Sequence, residues 1–165
     1  MSKTIENLKE AFAGESQANR KYLAYAKKAD EEGHAQAARM FRAAASAETV
    51  HAHAHLRAMG GVGTTRDNLA DAIAGETHEF TKMYPGMIET ADAEGNAQAA
   101  TSFRYANEVE GIHAELYQGI LDGLDGEEEQ YPYFVCPVCG NTVAKAAPEK
   151  CPICATAGSR FVKID

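Results

Sequence analysis

Residues 35–51, AQAARMFRAAASAETVH, return at residues 97–113 as AQAATSFRYANEVEGIH. At this offset of 62 the opening Ala-Gln-Ala-Ala is unchanged, Phe41 meets Phe103, Glu48 meets Glu110 and His51 meets His113. Both stretches carry a helical period. Ala37, Phe41, Ala44, Glu48 and His51 fall on one stripe, and Phe103, Ala106, Glu110, His113 and Tyr117 on another. Upstream, Gly14-Glu15 matches Gly75-Glu76 at an offset of 61, so the second copy has gained one residue between the two markers. The pattern predicts two similar helix hairpins facing each other across a pseudo-twofold axis.

Stop signals divide the repeats into four long helices. The first is expected from Ile5 to Glu32 with Gly33 as its stop, and the second from His34 to Met59 before Gly60-Gly61. The third starts near Arg66 with Thr65 as N-cap and ends at Gly95, and Met83-Tyr84-Pro85-Gly86 predicts a bend within it. The fourth runs from Asn96 to about Asp122. The expected domains are an all-α four-helix bundle over residues 1–124, an acidic linker over 125–130, and a small β module over 131–165, where aromatic, β-branched and proline residues gather.

The 165 residues carry a formal net charge of −8, which disfavours a nucleic-acid backbone or an anionic membrane surface as partner. No stretch approaches 18 consecutive apolar residues, so no membrane span is expected. The start, Met1-Ser2-Lys3-Thr4, leads straight into an amphipathic pattern without a signal-peptide core, which predicts a cytoplasmic location.

Glutamates inside the apolar stripes carry the chemistry. On the first helix the stripe reads Leu8, Phe12, Glu15, Ala18, Tyr22, Ala26. Each repeat thus offers one Glu on its first helix and Glu-x-x-His on its second: Glu15 with Glu48 and His51, then Glu76 with Glu110 and His113. Residues three apart share a helix face, so each Glu–His pair converges on one point. Four inward carboxylates would be prohibitive to bury uncompensated. Two bridged cations remove that cost, and the donor pattern is that of di-iron and di-manganese carboxylate bundles. Oxygen-rich ligation with two imidazoles suits iron or manganese. Glu79 breaks the symmetry: it lies three residues past Glu76, where the first repeat has Ala18. A seventh candidate ligand suggests one metal whose coordination changes with redox state. His55 is one turn beyond His51 and is read as a core histidine or a neighbour of the site. His53, His34 and His78 point elsewhere or to solvent.

All four cysteines form two knuckles, Cys136-Pro-Val-Cys139-Gly140 and Cys151-Pro-Ile-Cys154-Ala155. Two Cys-x-x-Cys pairs can wrap one tetrahedral ion, iron or zinc, and spacing alone does not choose.

Together the two repeats, the extra Glu79 and the cysteine tail resemble the rubrerythrins over nearly the whole chain. The resemblance implies a ferritin-like bundle with a diiron-oxo site of two non-haem irons, fused to a rubredoxin-like module holding one iron through Cys136, Cys139, Cys151 and Cys154. Zinc is the alternative there. It implies that Glu48 and Glu110 bridge, Glu15 ligates one iron, and Glu76 with His113 the other. Glu79 when oxidised and His51 when reduced would alternate as ligands. Tyr22 and Tyr84 would hydrogen-bond ligand carboxylates, although by spacing alone core packing serves equally well. Ala155, where the first knuckle has Gly140, departs from the family's usual glycine.

The implied activity is reduction of hydrogen peroxide to water in oxidative-stress protection, with electrons from rubredoxin or an NAD(P)H-dependent reductase. The alternatives are a ferritin-like protein that oxidises and stores iron, and a structural zinc-ribbon interaction protein. A homodimer is expected. The second helix, about 39 Å long at 1.5 Å per residue, is followed by Gly60 to Thr65, six residues reaching at most ~20 Å. That is too short for the long crossover of ferritin-like bundles. It leaves a simple up-down bundle or, favoured here, exchange of helix pairs between two chains.

Overall fold

The computed structural model describes residues 2–126 and 129–165, so Met1 and the linker residues Glu127 and Glu128 lie outside the described residues. Helices α1 (Lys3–Glu31) and α2 (Ala35–Ala58) form the first hairpin. In the second hairpin, α3 (Thr65–His78) runs through a π-helical turn (Glu79–Met83) into α4 (Tyr84–Ala93), and α5 (Ala97–Gly123) returns. The glycine stops behave as expected: Gly33, Gly60 and Gly95 have φ of +80°, +69° and +69°, the left-handed conformation that closes a helix. The cap of α3 is Thr64, not Thr65. Its hydroxyl accepts from Asp67 N–H while the Asp67 carboxylate accepts from Thr64 N–H, the reciprocal pair of a capping box.

The residue gained by the second repeat reappears as the π turn. Eighteen positions separate Glu15 from Gly33 but nineteen separate Glu76 from Gly95. A π turn accommodates one extra residue without ending the helix. The irregularity therefore begins at Glu79, four residues before the Met83-Tyr84-Pro85-Gly86 stretch where the bend was expected. Pro85 sits in the first turn of α4, where its missing N–H costs least.

The chain divides into two compact units, Met1–Gly63 and Thr64–Asp165. In the first, α1 packs along α2, and Asn19 Nδ2 ties the pair by donating to Ala45 O at 2.7 Å and Thr49 Oγ1 at 2.9 Å. Its fully buried apolar side chains are all alanines: Ala26, Ala29, Ala38, Ala45 and Ala52. At the start of α2 the buried position is Ala38, one residue past the expected Ala37, which is exposed. The second unit repeats these details. Ala100 is buried like Ala38, and Arg104 pairs with Asp92 at 2.6 Å as Arg42 pairs with Asp30 at 2.7 Å.

In the second unit α5 also carries the cysteine module. Strands β1 (Tyr133–Val135), β2 (Thr142–Ala144) and β3 (Val162–Ile164) form an antiparallel sheet in the order β2-β1-β3. Val135 pairs with both Thr142 and Val162. Gly158 cannot be larger, because a Cβ there would overlap the Pro148 carbonyl. No helix of the described residues is long and apolar enough to cross a membrane.

Candidate metal centres

Helical spacing brings one half-site together in each unit. In the first, His51 Nδ1 lies 2.8 Å from Glu48 Oε2 and 4.0 Å from Glu15 Oε1. In the second, His113 Nδ1 lies 2.8 Å from Glu110 Oε2 and 3.7 Å from Glu76 Oε1. Each trio can present its donor atoms to a single ion. The Nδ1–carboxylate distances are close to the ~3 Å edge made by two ligands about 2.1 Å from one metal at right angles.

In the second half-site the far side of the histidine is also engaged. His113 Nε2 lies 2.9 Å from Thr142 Oγ1, and that hydroxyl donates its own proton to Gly140 O at 3.0 Å. Thr142 then accepts from His113 Nε2–H, which leaves Nδ1 of the neutral imidazole to act as a ligand. Nδ1 faces the Glu110 carboxylate at 2.8 Å, a separation that either a proton or a shared metal ion bridges. Burial, and then the neighbouring Glu110 charge, raise the Glu76 carboxyl above its ordinary 4.5, as expected of carboxylates gathered for a cation.

The remaining expected residues are placed less completely. Glu79 opens the π turn outside the clustered trio, but its charge reaches Tyr84. Burial first, then Glu79, Glu110 and Glu76 in turn, raise the Tyr84 phenol, which keeps it a hydrogen-bond donor. Tyr84 packs on Phe103 at 6.2 Å between centroids, and Tyr22 on Phe41 at 6.3 Å. Among the described residues neither hydroxyl meets a carboxylate within hydrogen-bonding distance. His55 is half-buried, while His34, His53 and His78 are exposed.

The four cysteines converge. Cys136 and Cys154 Sγ are 3.5 Å apart, as are Cys139 and Cys151. That is far beyond a disulfide bond and near the ~3.8 Å edge of a tetrahedron with metal–sulfur bonds of about 2.3 Å. The two knuckles fold alike. Cys136 N–H donates to Asn141 O and Gly140 N–H to Cys136 O; Cys151 N–H donates to Thr156 O and Ala155 N–H to Cys151 O. Burial pushes the Cys139 thiol up. Burial acts on Cys154 too, but hydrogen bonds from the Thr156 hydroxyl and backbone, with help from neighbouring cysteines, bring it down to about 6. Four thiolates so close need a cation to ionise together.

Three contributors escaped the sequence reading. Asn141, buried and donating to Cys151 Sγ at 3.7 Å, and Thr156, whose hydroxyl lies 3.1 Å from Cys154 Sγ, occupy the same place in each knuckle. Comparing the knuckles position by position would have found them. Thr142 had no signal, because only the packing of β2 against α5 brings it to His113.

A helical carboxylate–histidine site joined to a tetrathiolate module defines a ferritin-like diiron protein with a rubredoxin-like domain. The rubrerythrin family model matches residues 6–121, and the rubrerythrin rubredoxin-like domain model matches residues 134–162. The chain belongs to the rubrerythrin family. It is 36% identical to rubrerythrin-2 of Clostridium acetobutylicum, over 96% of this chain and 95% of the relative. Identity is also 36% to nigerythrin of Nitratidesulfovibrio vulgaris, over 92% and 81%. The solved structure of fully reduced, all-ferrous nigerythrin aligns with a TM-score of 0.61 at 34% identity, covering 99% of this chain and 88% of that one. The donor sets accordingly hold iron: two ions in the carboxylate–histidine site and one in the tetrathiolate site.

Proposed function

We propose that this chain is a hydrogen peroxide reductase of the cytoplasm, delivering two electrons and two protons to each peroxide to yield two waters. When bound, the diiron site supplies the electron pair for O–O cleavage, and the thiolate iron refills it one electron at a time from rubredoxin or an NAD(P)H-linked reductase. The observation that carries this reading is the hydrogen bond that joins the cysteine module to a ligand of the helical site. A store of iron needs no such one-electron relay.

In this reading Glu48 and Glu110 would bridge the two irons, Glu15 would hold one, and Glu76 with His113 the other. Glu79 when oxidised and His51 when reduced would alternate as ligands. Tyr84, kept protonated, and Tyr22 would offer their hydroxyls to ligand carboxylates. The working divisions are residues 1–124 for the diiron bundle, 125–130 for the linker and 131–165 for the module.

The assembly we propose is a homodimer in which the α1–α2 hairpin of one chain completes the site with α3–α5 of its partner. Exposure of Leu23, Tyr25, Met40 and Val50, beside a core of alanines alone, supports a further layer on this hairpin. The test is steady-state peroxide consumption by the iron-loaded chain with NADH, a reductase and rubredoxin. One peroxide lost per NADH is expected. Absence of peroxide-dependent NADH oxidation, with many irons taken up per chain, would replace this reading with iron storage.

A further inference from the structure

The two histidines of the half-sites are not held alike. Each meets the Glu three residues before it through Nδ1 at 2.8 Å. The side chain of His51 is 55% exposed, and among the described residues its Nε2 has no hydrogen-bond partner. His113 is 27% exposed, and its Nε2 is engaged by Thr142. Thr142 is the first residue of β2, and Gly140, whose carbonyl takes the Thr142 proton, directly follows Cys139. A small, largely apolar cavity of about 160 Å³, lined by His113, Leu116, Tyr117, Ile120, Tyr133 and Thr142, flanks the contact.

We propose that Thr142 is a positioning residue for the diiron site. Its hydroxyl accepts from His113 Nε2–H and donates to the carbonyl after Cys139, which fixes the imidazole tautomer and ring orientation and couples the cysteine knuckle to the ligand. The inference rests on the diiron reading above. The chemistry is general: a ligating imidazole is oriented by what its other nitrogen donates to. The distinctive feature is that the acceptor comes from the other metal module, so that loosening the module also loosens the ligand.

The experiment compares the full-length wild type with Thr142→Val, which keeps the shape and removes the hydroxyl, and Thr142→Ser, which keeps the hydroxyl. In the chain loaded with diamagnetic zinc and labelled with 15N-histidine, NMR reads the tautomer of His113 and the solvent exchange of its Nε2–H. The expected wild type carries the proton on Nε2 with slow exchange. Exchange should accelerate at least ~10-fold in Thr142→Val and stay near wild type in Thr142→Ser. In the iron-loaded chain, reoxidation of the thiolate iron after one equivalent of peroxide should slow by about 10-fold in the valine variant alone, with an unchanged thiolate spectrum. A wild type protonated on Nδ1, equal effects of valine and serine, or no effect of valine on exchange would each overturn the proposal. The wild-type spectrum decides even if the valine variant fails to fold. A wild-type thiolate iron that ignores peroxide would sink the peroxidase reading, while the NMR result would still judge Thr142.

Discussion

Ala155 adopts φ +61° in the second knuckle, where Gly140 in the first adopts φ +86°. An L-residue held in the left-handed region costs roughly 1–2 kcal/mol. Replacing it by glycine relieves that strain but returns roughly 0.5–1 kcal/mol of chain entropy to the unfolded state. Ala155→Gly should therefore stabilise the module by about 0.5–1 kcal/mol. Gly140→Ala should do the reverse by a similar amount, since its new Cβ would meet Val109 Cγ1 at an ordinary 3.7 Å and add no clash. The assay is a urea titration of the iron-loaded chain followed at the ferric-thiolate absorption. With a slope of about 1–2 kcal/mol per molar urea, the two midpoints should move in opposite directions by roughly half a molar. If Ala155→Gly left the midpoint unchanged or lowered it while Gly140→Ala lowered it, the assignment of strain to Ala155 would be refuted.

Three other outcomes follow from the same geometry. Because the folded Glu76 carboxyl is raised from 4.5, the metal-free native state binds a proton more tightly than the unfolded one. Its contribution is therefore fully present below pH 4.5 and lost as pH rises through the folded pKa. Glu76→Gln should remove that part of the pH dependence in thermal melts. With its thiol near 6, Cys154 should be the first cysteine alkylated by iodoacetamide in the metal-free chain at about pH 7, and Thr156→Val should slow its labelling roughly tenfold. Inserting about a dozen flexible residues after Gly61 should convert an exchanged dimer into a monomer by sedimentation. A dimer that persists unchanged would show that the short loop does not enforce exchange.

The repeat made most of this fold legible. Glu15, Glu48 and His51 and their counterparts could be read because a helix fixes which residues three apart share a face, and because the pattern occurs twice. The cysteine site was equally plain, since two knuckles of fixed spacing leave little freedom to four thiolates. The single-residue mismatch between the repeats was visible too, but not its form. A bend at Pro85 was expected because proline is the obvious disruptor. The extra residue is instead absorbed by a π turn ahead of it, and Pro85 is tolerated in the next first turn. Thr64 was passed over as a cap because the reciprocal bond with Asp67 depends on backbone geometry that adjacent threonines do not reveal. Thr142 could not be found at all, because its role arises from tertiary packing between segments 29 residues apart.

In the proposed function the helical site passes electrons from the thiolate iron to peroxide. The direct measurement reduces the iron-loaded chain anaerobically, removes the reductant, adds one equivalent of hydrogen peroxide and follows the thiolate absorption by stopped flow. Ferric-thiolate colour should return rapidly as the peroxide is consumed. Colour that returns only slowly, or never, in a chain with both iron sites filled would contradict that function.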